Sequence, residues 1–368
     1  MKVLHIISGG ETGGSKKHLV QLLTNSPVEA ELLLLTEGAF AEDARKAGIP
    51  VTVIGQSSRF DRSTGKKILS FLKIGGFSLV HSHGARANFL INSIYKKLGM
   101  PWFITVHSDP TLDFLHQPKP LAKIFTMLNQ RAMRRADHLF AVSEKFKDML
   151  IQMGVEPKKI TSVFNGINFH KTLPAFDKQA IRESLGAHPE DFVFAIVARL
   201  HPVKGHDILL EAFAKTGKAP WKLWVIGEGD LRMKLEQQAE KLGLQDRVAF
   251  LGKRDDVDEL LYAADVSLLT SHSESFPLVL LESADMATPV ISTNVGGVPA
   301  LVDPGKTGWI VEPGRADALM YAIEQAMDTA TDTEEMGHQL RSFAKERFSN
   351  ENLQRDIHTV YSKVLKVN

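Results

Sequence analysis

Cysteine is absent from the 368-residue chain. That removes disulfides, thiolate zinc sites, iron–sulfur clusters and cysteine nucleophiles together, and it fits a reducing cytoplasm. No apolar run approaches the ~18 residues of a membrane span; runs such as Phe192–Ala198 are strand-sized. The start, Met1–Ile7, has too short an apolar core for a signal peptide and reads as a first strand. There are no low-complexity tracts and no repeats with a period of roughly 20–50 residues. An excess of charge is missing as well. The 44 Lys and Arg against 43 Asp and Glu leave +1, which argues against a bulk nucleic-acid binder.

What is present is an ordinary globular composition, long enough for two domains at about 150 residues each. The near-zero charge hides a split: residues 1–170 carry +9 and residues 171–368 carry −8. Two regions with different partners are implied. Short apolar runs alternate with amphipathic stretches throughout. Val3–Ser8, Glu31–Thr36, Val51–Ile54, Ser78–Ser82, Trp102–Val106, His138–Val142 and Ile160–Phe164 read as strands in the first half. The pattern pauses over about 166–191, a segment with Pro174 and Pro189 that reads as a linker. It restarts with Phe192–Arg199, Lys222–Ile226, Val248–Leu251, Val266–Thr270, Pro289–Thr293 and Trp309–Val311. Strands alternating with helices imply two α/β domains with doubly wound, mostly parallel sheets.

Ligands of such sheets bind beyond the carboxyl ends of the strands, so the loops there are the candidates. After the first strand comes Gly9-Gly10-Glu11-Thr12-Gly13-Gly14-Ser15. Its glycines would let backbone N–H groups approach a phosphate, although a tight turn capped by Ser15 explains them equally well. His81 and His83 fall on one strand face, which invites a metal, but no third ligand stands out and none is expected. His107, at a strand terminus before Ser108 and Asp109, is the better candidate for touching substrate; a packed histidine is the bland alternative. Arg199 and Lys204 straddle a strand end, where two cations can neutralise a diphosphate without a metal. Gly227-Glu228-Gly229 is another glycine turn. In Ser271–Glu282, Pro277 suits a first helical turn, and the free N–H groups around Leu278 would face a phosphate. Glu274 and Glu282 flank that helix start and could grip sugar or ribose hydroxyls. Asp256-Val257-Asp258 has the D-x-D form of a metal signature but suits a helix N-cap and first turn better.

In number, order and spacing these elements resemble glycosyltransferase family 4, retaining enzymes with the GT-B fold. The resemblance covers nearly the whole chain: Gly13-Gly14 with His18, Thr105-Val106-His107, Asn165-Gly166-Ile167-Asn168, Arg199 with Lys204, Gly227-Glu228-Gly229, Phe250-Leu251-Gly252, Glu274 with Glu282, and Asn294-Val295-Gly296-Gly297. It implies two Rossmann-like domains facing a cleft. Residues 1–168 with about 350–368 would bind the acceptor, the last helix crossing back onto them. Residues 169–349 would bind a nucleoside-diphosphate sugar. The resemblance further implies that Arg199 and Lys204 stabilise the departing diphosphate, that Glu282 binds ribose, and that Glu274 and His107 lie at the donor sugar. Gly13, Gly14, Gly227, Arg254, Phe276, Pro277 and Leu278 would complete the donor site. Ser275 and Ala287 stand where many relatives have glycine, which bears on donor-sugar preference.

The function implied is retaining transfer of a hexose-type sugar, with a UDP-sugar as the expected donor. The acceptor would be a hydroxyl of a glycan, glycolipid or lipid-linked acceptor in bacterial cell-envelope or capsular polysaccharide synthesis. No metal or other cofactor is expected, because the cations take the metal's place. A nucleotide-sugar epimerase of the same fold and a non-catalytic donor-binding partner subunit are the alternatives. A dinucleotide dehydrogenase lacks its G-x-G-x-x-G fingerprint here. Two basic amphipathic stretches, around Lys66–Ile74 and Lys119–Arg135, read either as core-packing helices or as a face for an anionic membrane. The expected location is cytoplasmic, peripheral at the inner face of the membrane.

Overall fold

The computed structural model describes residues 1–11, 14–56, 61–111, 113–114, 118–217, 219–328 and 332–367. The chain divides into two compact units, Met1–Asn168 with Asn350–Asn368, and Phe169–Ser349.

The first unit is built on seven strands: β1 (Lys2–Ile7), β2 (Glu29–Leu34), β3 (Val51–Val53), β4 (Leu79–His83), β5 (Trp102–Val106), β6 (His138–Ala141) and β7 (Ile160–Ser162). All pairings are parallel, in the order β3-β2-β1-β4-β5-β6-β7. The strands are near-continuous apolar runs because both faces are covered. On one face Leu4, Ile6, Val80, Ile104 and Leu139 pack against Ile68, Leu72, Ile91, Met133 and Leu150 from the intervening helices. On the other, Val3, Ile7, Leu79, Phe103 and Phe140 meet Leu19 and Leu22 of helix Gly14–Leu23 and Leu353, Ile357 and Tyr361 of helix Asn350–Val367. Each such buried side chain contributes about 1.5–3 kcal/mol, so the last helix is part of this unit's core. Gln354 adds polar ties, donating to the carbonyls of Leu22 (2.9 Å) and Thr24 (3.0 Å).

The second unit carries β8 (Phe192–Val197), β9 (Trp221–Ile226), β10 (Val248–Gly252), β11 (Val266–Leu269), β12 (Val290–Thr293) and β13 (Gly308–Val311). These are again all parallel, in the order β10-β9-β8-β11-β12-β13. In both sheets the direction of winding reverses once, between β1 and β4 and between β8 and β11. Those switch points are where a doubly wound sheet opens a crevice at its carboxyl edge.

Helix Ala39–Lys46, between β2 and β3, buries Phe40, Ala41 and Ala44. The segment read as a linker contains helix Lys178–Ser184, capped by Asp177, whose carboxylate accepts from the Ala180 N–H at 3.0 Å. None of its residues is buried, so it leaves no apolar stripe to read.

Candidate active site

In the second unit the cationic side chains gather at the β8/β11 switch point. Arg199 lies two residues beyond β8, exposed and without an ion-pair partner among the described residues. Lys204 closes a short 3-10 turn, Pro202–Lys204. That turn is pinned to the end of β11: the His272 N–H donates to the Val203 carbonyl (2.8 Å) and Thr270 Oγ1 to the Lys204 carbonyl (2.9 Å). The Lys204 ammonium therefore meets Glu274, seventy residues away, and donates to its Oε1. Ser271 Oγ donates to the same oxygen at 2.6 Å. Both charged side chains are largely buried, so the pair is shielded from solvent screening.

The loop after β12 braces Glu274 from behind. Gly296 has φ +52, and a Cβ there would stand 2.1 Å from the Ser275 carbonyl oxygen and 2.4 Å from that of Glu274. Only glycine allows this approach. The Gly297 N–H donates to the Ser275 carbonyl at 2.8 Å. The Phe276 ring is 2% exposed and packs on Phe348, with ring centroids 5.2 Å apart, so what Phe276 can offer a ligand is its backbone. Pro277 does not enter the first helical turn as expected. It is the N-cap residue, extended at φ −74 and ψ 113, and the helix is Leu278–Asp285. Its ring fixes φ but leaves ψ extended, and its carbonyl accepts from the Leu280 N–H at 3.2 Å. Glu282 is half-buried on the second turn of that helix.

Beside this group lies a cavity of about 300 Å³, lined by Val197, Arg199, Gly227, Glu228, Lys253 and Arg254 among others. Gly227, at φ +138, lets β9 end against β8, since a Cβ would come within 2.0 Å of the Ala198 carbonyl oxygen. Arg254 clasps Asp256 with two donors, Nε at 2.7 Å and Nη2 on the other oxygen. That hydrogen bond holds the Asp256 carboxyl below its usual range. Asp256 occupies the N-cap position of helix Val257–Ala263, but its side chain makes no cap bond because Arg254 holds it.

In the first unit the strand ends deliver imidazoles. Gly14 opens helix Gly14–Leu23 with open space around it; Gly13 lies outside the described residues. His107 follows β5 directly, and its Nε2 is 3.0 Å from His83 Nδ1. The other nitrogen of His83, Nε2, is 3.0 Å from His5 Nδ1 on β1. His18 stands edge-on to His107, ring centroids 4.9 Å apart. Burial lowers the pKa of each: His5 to about 3, His18 to about 4, and His83 and His107 well below the usual imidazole value. These rings are neutral at pH 7 and hydrogen-bond rather than attract anions.

The third ring that sequence spacing did not supply beside His81 and His83 is His5, their neighbour on the adjacent strand. Ring nitrogens of the three lie within 4.8 Å of one another, a metal-like spacing. Five of their six nitrogens are spent on protein partners, however. His5 and His83 bond each other, while His81 takes Tyr361 Oη at 2.5 Å and Thr105 Oγ1 at 2.8 Å. Burial keeps the Tyr361 phenol protonated, so it donates to His81 Nδ1 and His81 Nε2–H donates to Thr105.

Two family models match the chain. "Glycosyl transferases group 1" covers residues 177–347, and "Glycosyltransferase Family 4" covers residues 15–171. The chain belongs to this glycosyltransferase family, with the GT-B type of fold. Among curated relatives, N-acetyl-alpha-D-glucosaminyl L-malate synthase of Bacillus anthracis is 31% identical over 64% of this transferase. That match spans 61% of the relative, less than two thirds of its length. UDP-Gal:alpha-D-GlcNAc-diphosphoundecaprenol alpha-1,3-galactosyltransferase of Escherichia coli is 27% identical, covering 84% of this chain and 82% of its own. Among solved structures, Anabaena Alr3699/HepE in complex with UDP superposes with a TM-score of 0.87 at 24% identity, over 99% of this chain and all of the other, a likeness of fold.

Several polar groups at the transferase's strand ends escape sequence reading. Glu11 accepts from the Gly9 N–H at 2.7 Å, and burial holds its carboxyl above the usual range. Arg86 donates to Gln56 Oε1 (2.8 Å) and Ser8 Oγ (3.2 Å). His206, next to the Lys204 turn, is buried, and both its ring nitrogens lack a partner among the described residues. No spacing rule singles these out, because each is meaningful only beside residues distant in sequence.

Proposed function

We propose that the protein transfers a hexose-type sugar from a UDP-sugar, with retention of configuration and without a metal, to a hydroxyl of a glycan or lipid-linked acceptor in cell-envelope polysaccharide synthesis. The observation that carries this reading is the pair of cations at the β8/β11 switch point. Arg199 has no ion-pair partner among the described residues, and Lys204 is held by a carboxylate that a diphosphate can displace. The second unit is assigned the donor and the first the acceptor. The cavity beside Arg199 and Arg254 suits the nucleoside, the backbone around Leu278 a phosphate, and Glu282 the ribose hydroxyls. The uridine assignment is supported by the UDP bound to HepE, and the lipid-linked acceptor by the activity named for the Escherichia coli relative.

The chemistry follows from charge. The bond from the anomeric carbon to the phosphate oxygen breaks through an oxocarbenium-like transition state, and negative charge grows on the diphosphate, where Arg199 and Lys204 receive it. The acceptor oxygen attacks the face the leaving group vacates, and its proton passes to the departing phosphate oxygen, so no protein nucleophile is required. Glu274, released from Lys204, and neutral His107 hydrogen-bond the sugar.

The acceptor reading includes contact with an anionic membrane. Helix Lys119–Arg135 exposes Leu121, Ile124, Met127 and Leu128 beside Lys119, Lys123 and Arg131, an apolar stripe with a basic margin. The other basic stretch packs inward instead through Ile68 and Leu72 of helix Arg62–Gly75. No helix among the described residues is long and apolar enough to cross a membrane. Sedimentation with anionic vesicles should retain the protein and lose it on Ile124→Glu; equal recovery with neutral and anionic vesicles at low salt removes the membrane contact.

The deciding experiment is a mass-spectrometric product screen of UDP-, GDP- and ADP-sugars against candidate acceptors, run with and without EDTA. Transfer from a UDP-sugar, unchanged by EDTA and with the α-anomer retained by NMR, is expected. A strict requirement for Mn²⁺ or Mg²⁺ overturns the metal-free mechanism, and sugar isomerisation without any acceptor points to the epimerase reading.

A further inference from the structure

Three histidines of the first unit form a chain. His5, His83 and His107 come from β1, β4 and the end of β5, three adjacent strands. Two hydrogen bonds of 3.0 Å join them in series, His5 Nδ1 to His83 Nε2 and His83 Nδ1 to His107 Nε2. Each neutral imidazole has one N–H and one lone pair. Three neutral rings hold three N–H groups over six nitrogens, and the two internal bonds use two of them. One N–H remains, and it must sit at one end, on His5 Nε2 or on His107 Nδ1. The tautomers are therefore locked together. When His5 Nδ1–H donates, His83 Nδ1–H donates, His107 Nε2 accepts and His107 Nδ1 carries the free proton. When His83 Nε2–H donates to His5, the whole order reverses and His107 Nδ1 is a bare acceptor. Burial keeps all three rings uncharged, which maintains the count.

We infer that His5 and His83 are positioning residues that fix which tautomer His107 presents through Nδ1, and so whether it donates to or accepts from a substrate hydroxyl. The inference rests on the reading of His107 as a sugar contact. Neither positioning residue needs to touch substrate: His5 lies within β1, 2% exposed, and reaches His107 through His83. The neighbouring His81 stands outside the chain, its nitrogens committed to Tyr361 and Thr105. A wrongly set tautomer in a buried site leaves donor facing donor, which costs the hydrogen bond and strands a polar group.

The test uses the full-length protein with ¹⁵N-labelled histidine. The ring nitrogens of His107 are assigned by their loss in His107→Gln. In the wild type at pH 7, His107 should show one neutral tautomer. His5→Phe removes only the far end of the chain, yet His107 should become a mixture of tautomers, with kcat/KM lowered by up to about tenfold, one hydrogen bond's worth. His5→Asn, whose amide can stand in for Nδ1, should restore both. Should His5→Phe fail to fold, His83→Gln breaks the chain at its middle and should release the His107 tautomer in the same way. A His107 that keeps its single tautomer in a folded His5→Phe or His83→Gln protein overturns the proposal, even if the melting temperature falls. Wild-type turnover in His107→Gln overturns instead the substrate role of His107 on which it rests, and the ring shifts tell the two failures apart.

Discussion

The two units share a parallel doubly wound sheet with one reversal of winding, yet their carboxyl edges are chemically opposite. The first unit carries a net charge of +10, and its strand ends deliver neutral imidazoles, His83 buried and His107 half-buried. The second carries −9, and its strand ends deliver Arg199 and Lys204. On the proposed reading, therefore, net charge does not mark where the anion binds. The positive charge of the first unit is spread over helices such as Lys119–Arg135, while the acidic unit concentrates two cations at its switch point. The fold supplies the position, and the residues placed there supply the chemistry.

The difference should be most visible in acid. A buried histidine whose folded pKa is depressed contributes stability that is fully present above its unfolded value of 6.5 and lost as pH falls towards the folded value. The unfolded chain binds the proton first, so stability falls with pH. His5, His18, His81, His83, His107, His138 and His358 are all of this kind in the first unit, with folded values of about 3 for His5 and about 4 for His18, His138 and His358. In the second unit His206, lowered to about 4 by burial, is of this kind. Each such group costs roughly 2 kcal/mol at pH 5. Glu11 and Asp113, raised by burial, oppose the trend but are two against seven. Hydrogen exchange at pH 7 and pH 5 should show the first unit opening first; earlier opening of the second unit would break the comparison.

Turnover should divide the other way. Lys204→Ala and Arg199→Ala should each lower kcat by a factor of about 10²–10³, the loss of one charged donor to the developing diphosphate. The melting temperature should hold in Arg199→Ala and fall in Lys204→Ala, which leaves the largely buried Glu274 carboxylate without its cation. His107→Gln, which removes a neutral hydrogen-bonding ring, should cost closer to tenfold. A larger loss at His107 than at Lys204 would mean that the imidazole edge, not the cationic one, bears the transition-state charge.

Tyr361 ties the last helix to the histidine face, and Tyr361→Phe leaves His81 Nδ1 buried without its donor. The expected cost is about 1–3 kcal/mol in the first unit, read by chemical denaturation, with the second unit's transition unmoved. The sequence shows Tyr361 only as one apolar position on an amphipathic helix; the partner that makes it polar is 280 residues away. The same limit runs through the site. Thirteen strands were legible because buried parallel strands are continuous apolar runs, and Arg199, Lys204 and Glu274 were legible as groups at strand ends. That Lys204 and Glu274 bond each other was not, since spacing along a chain carries no distance across a sheet. His5 reads as one more residue in an apolar strand until its parallel register sets it opposite His81.

The smallest effect concerns backbone strain. Outside glycine, positive φ occurs once in each unit among the described residues, at Asn25 (φ 54) and Ala287 (φ 55). Asparagine tolerates the left-handed region, whereas alanine there costs about 1–2 kcal/mol. Ala287 ends helix Leu278–Asp285, which carries Glu282. Its N–H donates to the Ala284 carbonyl (3.0 Å) and the Thr288 N–H to that of Ser283 (2.9 Å), the double bond of a Schellman cap. The backbone has no room to relax, because a Cβ at Gly337 would stand 1.8 Å from the Ala287 carbonyl oxygen, so helix Thr333–Arg347 already rests against it. Ala287→Gly removes the strain but gives the unfolded chain about 0.5–1 kcal/mol more entropy to lose. The net gain should be about 0.5–1 kcal/mol, raising the second unit's melting temperature by roughly 1–4 °C. Asn25→Gly, with little strain to relieve, should leave the first unit unchanged or slightly weaker. Equal shifts from the two substitutions would show that the alanine turn is no more strained than the asparagine one.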